Sequence, residues 1–126
     1  MAYDELLADR IRNTLADKKV DAREMKMMGG LCFMLNEKMC CGILFDKIKN
    51  LDLLMARIGE DAATNNMSRK GCHPMDFTGR PMKGYVFVDP EGFDLDEDLE
   101  HWIQLCLDFN PLAKMSKKRI NQKVKK

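Results

Sequence analysis

The chain has 126 residues, 45% of them hydrophobic and 33% charged, a balance that fits one globular domain and argues against intrinsic disorder. No apolar run approaches the ~20 residues that a membrane-spanning helix requires, and the polar start MAYDELLADR does not read as a signal peptide, so the expected location is the cytoplasm. The net charge of +1 hides an asymmetry, because residues 112–126 carry seven basic and no acidic side chains, which leaves −6 for residues 1–111.

Tyr3 to Asp17 has Leu7, Ile11 and Leu15 at four-residue spacing between charges and predicts an amphipathic helix, with Asp4 and Glu5 in its first turn. Glu24 to Met28 is a short strand, broken by Gly29-Gly30, and Leu31 to Leu35 is a continuous apolar strand. Asn36-Glu37-Lys38 turns the chain into a strand from Met39 to Phe45. After the polar turn Asp46 to Asn50 comes a strand from Leu51 to Ile58, with Leu51, Leu53 and Met55 on one face. Asp61 to Lys70 is weakly helical, with Gly71 placed as its C-terminal cap.

Asp76-Phe77-Thr78-Gly79 and Asp89-Pro90-Glu91-Gly92 both carry the type I turn pattern, and Gly84 to Val88 between them is rich in strand-forming residues. Asp94 to Asn110 is the clearest helix. Its apolar face is Leu95, Leu99, Trp102, Ile103, Cys106 and Leu107, and Pro111 stops it. This order of elements describes a single two-layer α+β domain: an antiparallel sheet of about five strands with the first and last helices packed on one face.

Five cysteines, odd in number, do not form a secreted disulfide framework, and the eleven methionines fall mostly in strand-like runs where they fill a core. A two-residue loop at Asn36-Glu37 would pair Phe33 with Cys40 and Cys32 with Cys41, placing Cys32 and Cys41 side by side and sending Cys40 and Cys41 to opposite faces. Cys72 and His73, in the linker that follows, could then complete a thiolate–imidazole metal site. The better reading is that the cysteines belong to the core, since no Cys-x-x-Cys pair occurs and free Cys is among the most buried residue types.

His101 has Glu97, Glu100 and Gln104 within helical reach and reads as a solvated or acid-paired histidine. Arg80 and Lys83 bracket Pro81-Met82 beside Gly-rich turns, and Arg57 ends a strand. Together they form a candidate anion or acidic-partner site, although the better reading of Arg80 is that it pins its own loop by bonding Asp76, Asp89 or backbone carbonyls. Lys114, Lys117, Lys118, Arg119, Lys123, Lys125 and Lys126 have two readings: sequence-independent nucleic-acid binding, or a solvated extension. No Walker loop, dinucleotide fingerprint or Ser-His-Asp order is present, so no catalytic residue, metal or cofactor is expected.

The segment from His73 to Gly92, HPMDFTGRPMKGYVFVDPEG, packs three prolines and three glycines around Arg80 and Lys83. Together with MAYDELLADRIR, MGGLCFMLNEKMCCGIL and LMARIG it closely resembles the TfoX/Sxy family, specifically the TfoX N-terminal domain, over roughly residues 1–110, with a basic tail at 111–126. Members of that family usually have Asn-Gly where Asn36-Glu37 stands here, a departure that suggests a different turn type. The resemblance implies a non-enzymatic co-regulator of DNA-uptake and competence genes in bacteria. Such a protein works with a protein partner in transcription, such as a cyclic-AMP receptor protein and polymerase, and self-association into a dimer is plausible. Two-domain competence regulators add a C-terminal helical domain, in whose place this chain has its basic tail.

Overall fold

Asp4 opens the fold by accepting a hydrogen bond from the Leu6 amide at 2.9 Å, which caps α1 (Glu5–Asp17). The computed structural model describes residues 4–27, 30–74 and 83–113. After α1 come β1 (Arg23–Met27), β2 (Gly30–Leu35), β3 (Lys38–Asp46), β4 (Leu51–Arg57), α2 (Glu60–Asn66), β5 (Cys72–Pro74), β6 (Tyr85–Val88) and α3 (Asp96–Phe109). Single 3-10 turns at Pro90–Gly92 and Asn110–Leu112 flank α3. No helix among the described residues is long and apolar enough to cross a membrane.

The strands form one antiparallel sheet in the order β1-β2-β3-β4-β6-β5, an α+β architecture with six strands instead of about five. The additional strand is β5, three residues long and ending in proline, which falls where the sequence suggested a linker. A proline is tolerated there because β5 lies at the sheet edge and pairs only with β6. The second helix ends at Asn66, well before Gly71, because the chain must turn early to reach that edge.

Strand alternation divides the apolar residues between two faces. Leu7, Ile11 and Leu15 of α1, Ala63 of α2, and Leu99, Trp102, Ile103 and Cys106 of α3 pack on Phe33, Ile43, Leu54, Ala56, Val86 and Val88. Leu53, Met55, Cys32 and Phe87 form a smaller cluster on the opposite face, bordered by Met34, Met39, Leu44, Leu51 and Tyr85. The Trp102 indole N–H donates to the Gly92 carbonyl at 3.1 Å, so the largest core side chain also fastens the turn that precedes its helix. Leu95, expected on the apolar face, is 57% exposed because it occupies the N-cap position of α3, and Phe93 fills the core there instead.

The hairpin between β2 and β3 departs from the sequence expectation twice. Asn36 and Glu37 stand at φ 55° and 64°, the pair of left-handed residues that a type I′ turn requires, so the turn type survives without the glycine. Leu35 pairs with Lys38 and Met34 with Met39 as expected, but the register then shifts, and Phe33 pairs with Cys41 and Cys32 with Gly42. Cys40 is the extra residue of a β-bulge. Cys32 and Cys41 are therefore not side by side. Cys40 and Cys41 do not alternate either: both enter the cluster beneath the helices, while Cys32 joins the opposite one.

Candidate functional site

The end of the sheet where β4 runs into α2 is shaped by one carbonyl. Gly84 O accepts hydrogen bonds from the amides of Ile58 (2.9 Å) and Gly59 (3.0 Å), which bends the chain out of β4 and holds it against the start of β6. Gly59 and Gly84 stand at φ 90° and 82°, a region that side chains avoid, and a Cβ on Gly84 would lie 3.3 Å from the Gly59 Cα. This close crossing leaves a groove of about 600 Å³ between the beginning of α2, the beginning of β6 and the last turn of α3.

Arg57 is the last residue of β4 and faces Tyr85 across the β4–β6 pairing. Its guanidinium carbon lies 5.4 Å from the Tyr85 ring centroid and 6.0 Å from that of Phe109, within cation–π range of both. Burial pushes the Tyr85 phenol above its ordinary pKa, against the opposing effect of Arg57, so the ring stays neutral at physiological pH. Lys83 lines the same groove, as do Glu60 and Asp61 from the first turn of α2, Leu105 and Asp108 from α3, and Leu112 beyond it. The lining thus holds two cations, three carboxylates and an apolar, aromatic wall, an arrangement suited to non-covalent recognition.

Two of the three residues of the candidate anion site, Arg57 and Lys83, therefore meet in one groove. Arg80 and the basic residues Lys114, Lys117, Lys118, Arg119, Lys123, Lys125 and Lys126 lie outside the described residues. Sequence reasoning missed Phe109, Asp108, Glu60 and Asp61. Phe109 follows Trp102 by seven residues and Cys106 by three, which is helical spacing onto the same side, so the periodicity of α3 could have pointed to it.

The histidines and the acidic run are engaged elsewhere. His101 Nε2 lies 3.0 Å from the Asn66 side-chain oxygen, not against Glu97 or Glu100, and burial followed by the charge of Arg69 lowers its pKa. His73 Nε2 lies 2.9 Å from Asp89 Oδ1, with Lys49 Nζ 3.6 Å from that oxygen. Asp96 pairs with Arg10 at 3.1 Å, Glu100 with Lys18 at 3.0 Å and Asp98 with Arg69 at 3.5 Å, so these carboxylates tie α3 to α1 and to the residues after α2. Among the described residues no group of three or more His, Cys, Asp or Glu has a geometry able to hold a metal ion.

The thiols divide by face. Burial pushes Cys32 up to about 11, and its S–H lies 3.6 Å from the Met34 sulfur. Under the helices, Cys40 contacts the thiols of Cys106 and Cys41, whose S–H groups draw its pKa down against burial. Hydrogen bonding to Cys106 raises the Cys41 thiol, and burial raises that of Cys106.

Residues 15–110 match the family model of the TfoX N-terminal domain. No curated protein and no solved structure matches the chain. The matched span contains all six strands, α2, α3 and every groove residue named above except Leu112. It covers well over half of the sequence in an unbroken stretch, and the chain belongs to the TfoX N-terminal domain family.

Proposed function

We propose that this chain is a non-enzymatic interaction module in the regulation of bacterial competence genes, binding a protein partner through the groove between α2, β6 and α3. The TfoX N-terminal domain family is not known for enzymatic activity, which supports the regulatory class. One observation carries the mode of action: Arg57 is held beside the Tyr85 and Phe109 rings in a concave surface that also presents Leu105, Leu112 and charges of both signs. Arginine and aromatic side chains dominate binding energy where they are held rigid and desolvated, and paired charges around them select the partner.

A small anion is a weaker fit to the same groove. It would meet Arg57 and Lys83 but also Glu60, Asp61 and Asp108, so the lining opposes a bare negative charge. A polypeptide segment with an apolar anchor flanked by both charge signs satisfies the whole surface.

The test uses two exposed groove residues, of which Asp108 accepts one hydrogen bond, from Gln104 within α3 at 2.9 Å. Tagged full chain, Lys83→Glu and Asp108→Lys are each used to recover partners from bacterial lysate with and without nuclease, with circular dichroism confirming the fold. The expected result is recovery of transcription proteins by the unaltered chain and loss of at least tenfold with either reversal, about 1.4 kcal/mol of binding energy. Equal recovery by all three chains would remove the groove from the proposal, and recovery that vanishes with nuclease would transfer the activity to nucleic acid.

A further inference from the structure

The two edges of the sheet are built differently. β5 is three residues long and ends in Pro74, which blunts that edge against further pairing. β1, at the other edge, has five residues, no proline and an unbroken register with β2. Among the described residues nothing pairs with its outer side.

The β2–β3 hairpin sets the hydrogen-bond direction along that edge. Leu35 and Lys38 close a two-residue turn and bond to each other. The backbone groups of Leu35 and Phe33 therefore turn toward β3, and those of Met34 and Cys32 toward β1. Met34 faces Arg23 and Cys32 faces Met25, so these pairs carry the β1–β2 bonds. The N–H and C=O groups of Glu24 and Lys26 are left pointing outward. Both residues are exposed, and Met25 between them is 40% exposed.

Charges on an edge strand ordinarily keep another strand away, but here their order is self-complementary. Two antiparallel copies of β1 match their outward groups when Glu24 or Lys26 of one lies opposite Glu24 or Lys26 of the other. Glu24 against the partner's Glu24, or Lys26 against the partner's Lys26, sets like charges together on the two-fold axis. Glu24 against the partner's Lys26 gives an opposite-charge pair on each side of the axis. That register also brings Met25 against the partner's Met25, on the face away from the helices and beside the cluster of Cys32. On the helix side Arg12 holds Glu24 and Asp9, each at 2.6 Å, with Glu5 at 4.0 Å. Three carboxylates thus share one guanidinium and keep a net negative charge for the partner's Lys26.

We propose that β1 is a homodimer interface, pairing antiparallel with β1 of a second copy of this chain, Glu24 opposite the partner's Lys26 and Met25 on the two-fold axis. Each such charge pair exchanges both of its backbone hydrogen bonds, the contact is isologous, and the two six-stranded sheets become one. The groove lies beside β6 and α3, away from β1 in the strand order, so the pairing leaves both grooves open. The inference does not depend on what the groove binds.

The experiment follows the full chain by analytical ultracentrifugation from micromolar concentration to about 1 mM, the weak end of specific association. The expected result is a reversible monomer–dimer equilibrium that weakens as salt rises. Lys26→Glu and Glu24→Lys each set like charges opposite one another and raise the dissociation constant at least tenfold. An equimolar mixture of the two variants associates again, because every cross-strand pair is then opposite in sign. Hydrogen exchange on the unaltered chain reads the register without relying on any variant. The Glu24 and Lys26 amides gain protection as concentration rises, while the Met25 amide, bonded to β2, is protected throughout. A chain that stays monomeric up to about 1 mM would overturn the proposal. So would a dimer that neither reversal weakens, or one in which the Glu24 and Lys26 amides stay unprotected.

Discussion

Asp52 illustrates how one side chain can work against the fold that holds it. It sits on β4, and its Oδ1 atom is buried with no hydrogen-bond partner. Burial raises its pKa, and the nearby Asp4 carboxylate raises it further, while a hydrogen bond from the Asp4 backbone pulls the other way. A carboxyl whose folded pKa lies above its unfolded value is held more tightly in its protonated form by the native state. The penalty is therefore absent in acid and grows as pH rises from the ordinary carboxylate value, about 3.9, through the raised one. Asp52→Asn, which cannot ionise and gains an N–H donor near Asp4, is expected to raise the melting temperature by a few degrees at pH 7. That gain should shrink to nothing by about pH 3, where the native aspartate is protonated as well. Thermal unfolding of both chains across that range checks it, and a gain that persists in acid would mean the effect is not ionisation.

At the scale of elements, α3 is secured to the β2–β3 hairpin by a residue that no motif announces. Asn110 is 2% exposed, accepts a hydrogen bond from the Asn36 side-chain amide at 2.8 Å, and donates to the Leu35 carbonyl at 3.1 Å, while its own carbonyl accepts from Lys38 at 3.1 Å. Asn110→Ala leaves the hairpin carbonyl and the Asn36 amide without their partner and is expected to cost about 2 kcal/mol, read as a lower urea midpoint with an unchanged slope. An effect under about 0.5 kcal/mol would mean that water replaces the side chain freely. The helices, the long strands and the face carrying Leu51, Leu53 and Met55 were legible because 3.6- and 2-residue periodicities report burial directly. What stayed illegible has physical causes. The bulge at Cys40 is an extra residue inside an apolar run that looks the same with or without it, and Glu37 adopts a left-handed turn conformation that its identity does not advertise. β5 is too short to show a period at all. Of the groove, the sequence pointed to Arg57 and Lys83 through their place beside turns, but their aromatic and acidic neighbours are brought in by α2 and α3 and share no local pattern with them.

Across the whole molecule the charge is polarised, with −6 on residues 1–111 and seven positive charges between Lys114 and Lys126. The polarity separates two modes of action. A protein partner docked in the groove meets charges of both signs on the folded body, whereas nucleic acid would be attracted by the tail and repelled by the body. Nucleic-acid binding through the tail, the alternative to the groove, has a defined thermodynamic signature. If all seven cations neutralise phosphates of duplex DNA, log K falls with log salt at a slope of about −6, and each lysine removed lessens the slope by about one. Where the chain is cut matters. Ala113 is 7% exposed and its amide bonds to the Phe109 and Asn110 carbonyls at 3.1 Å, so the truncation that spares the fold removes residues 114–126 and leaves Ala113 in place. The expected outcome is DNA affinity that weakens steeply with salt for the full chain and disappears on truncation, while partner recovery through the groove is unchanged. Affinity that is insensitive to salt, or that survives truncation, would show that the tail charges do not make the contact. A partner lost together with the tail would show that the groove is not the surface on which the regulatory reading rests.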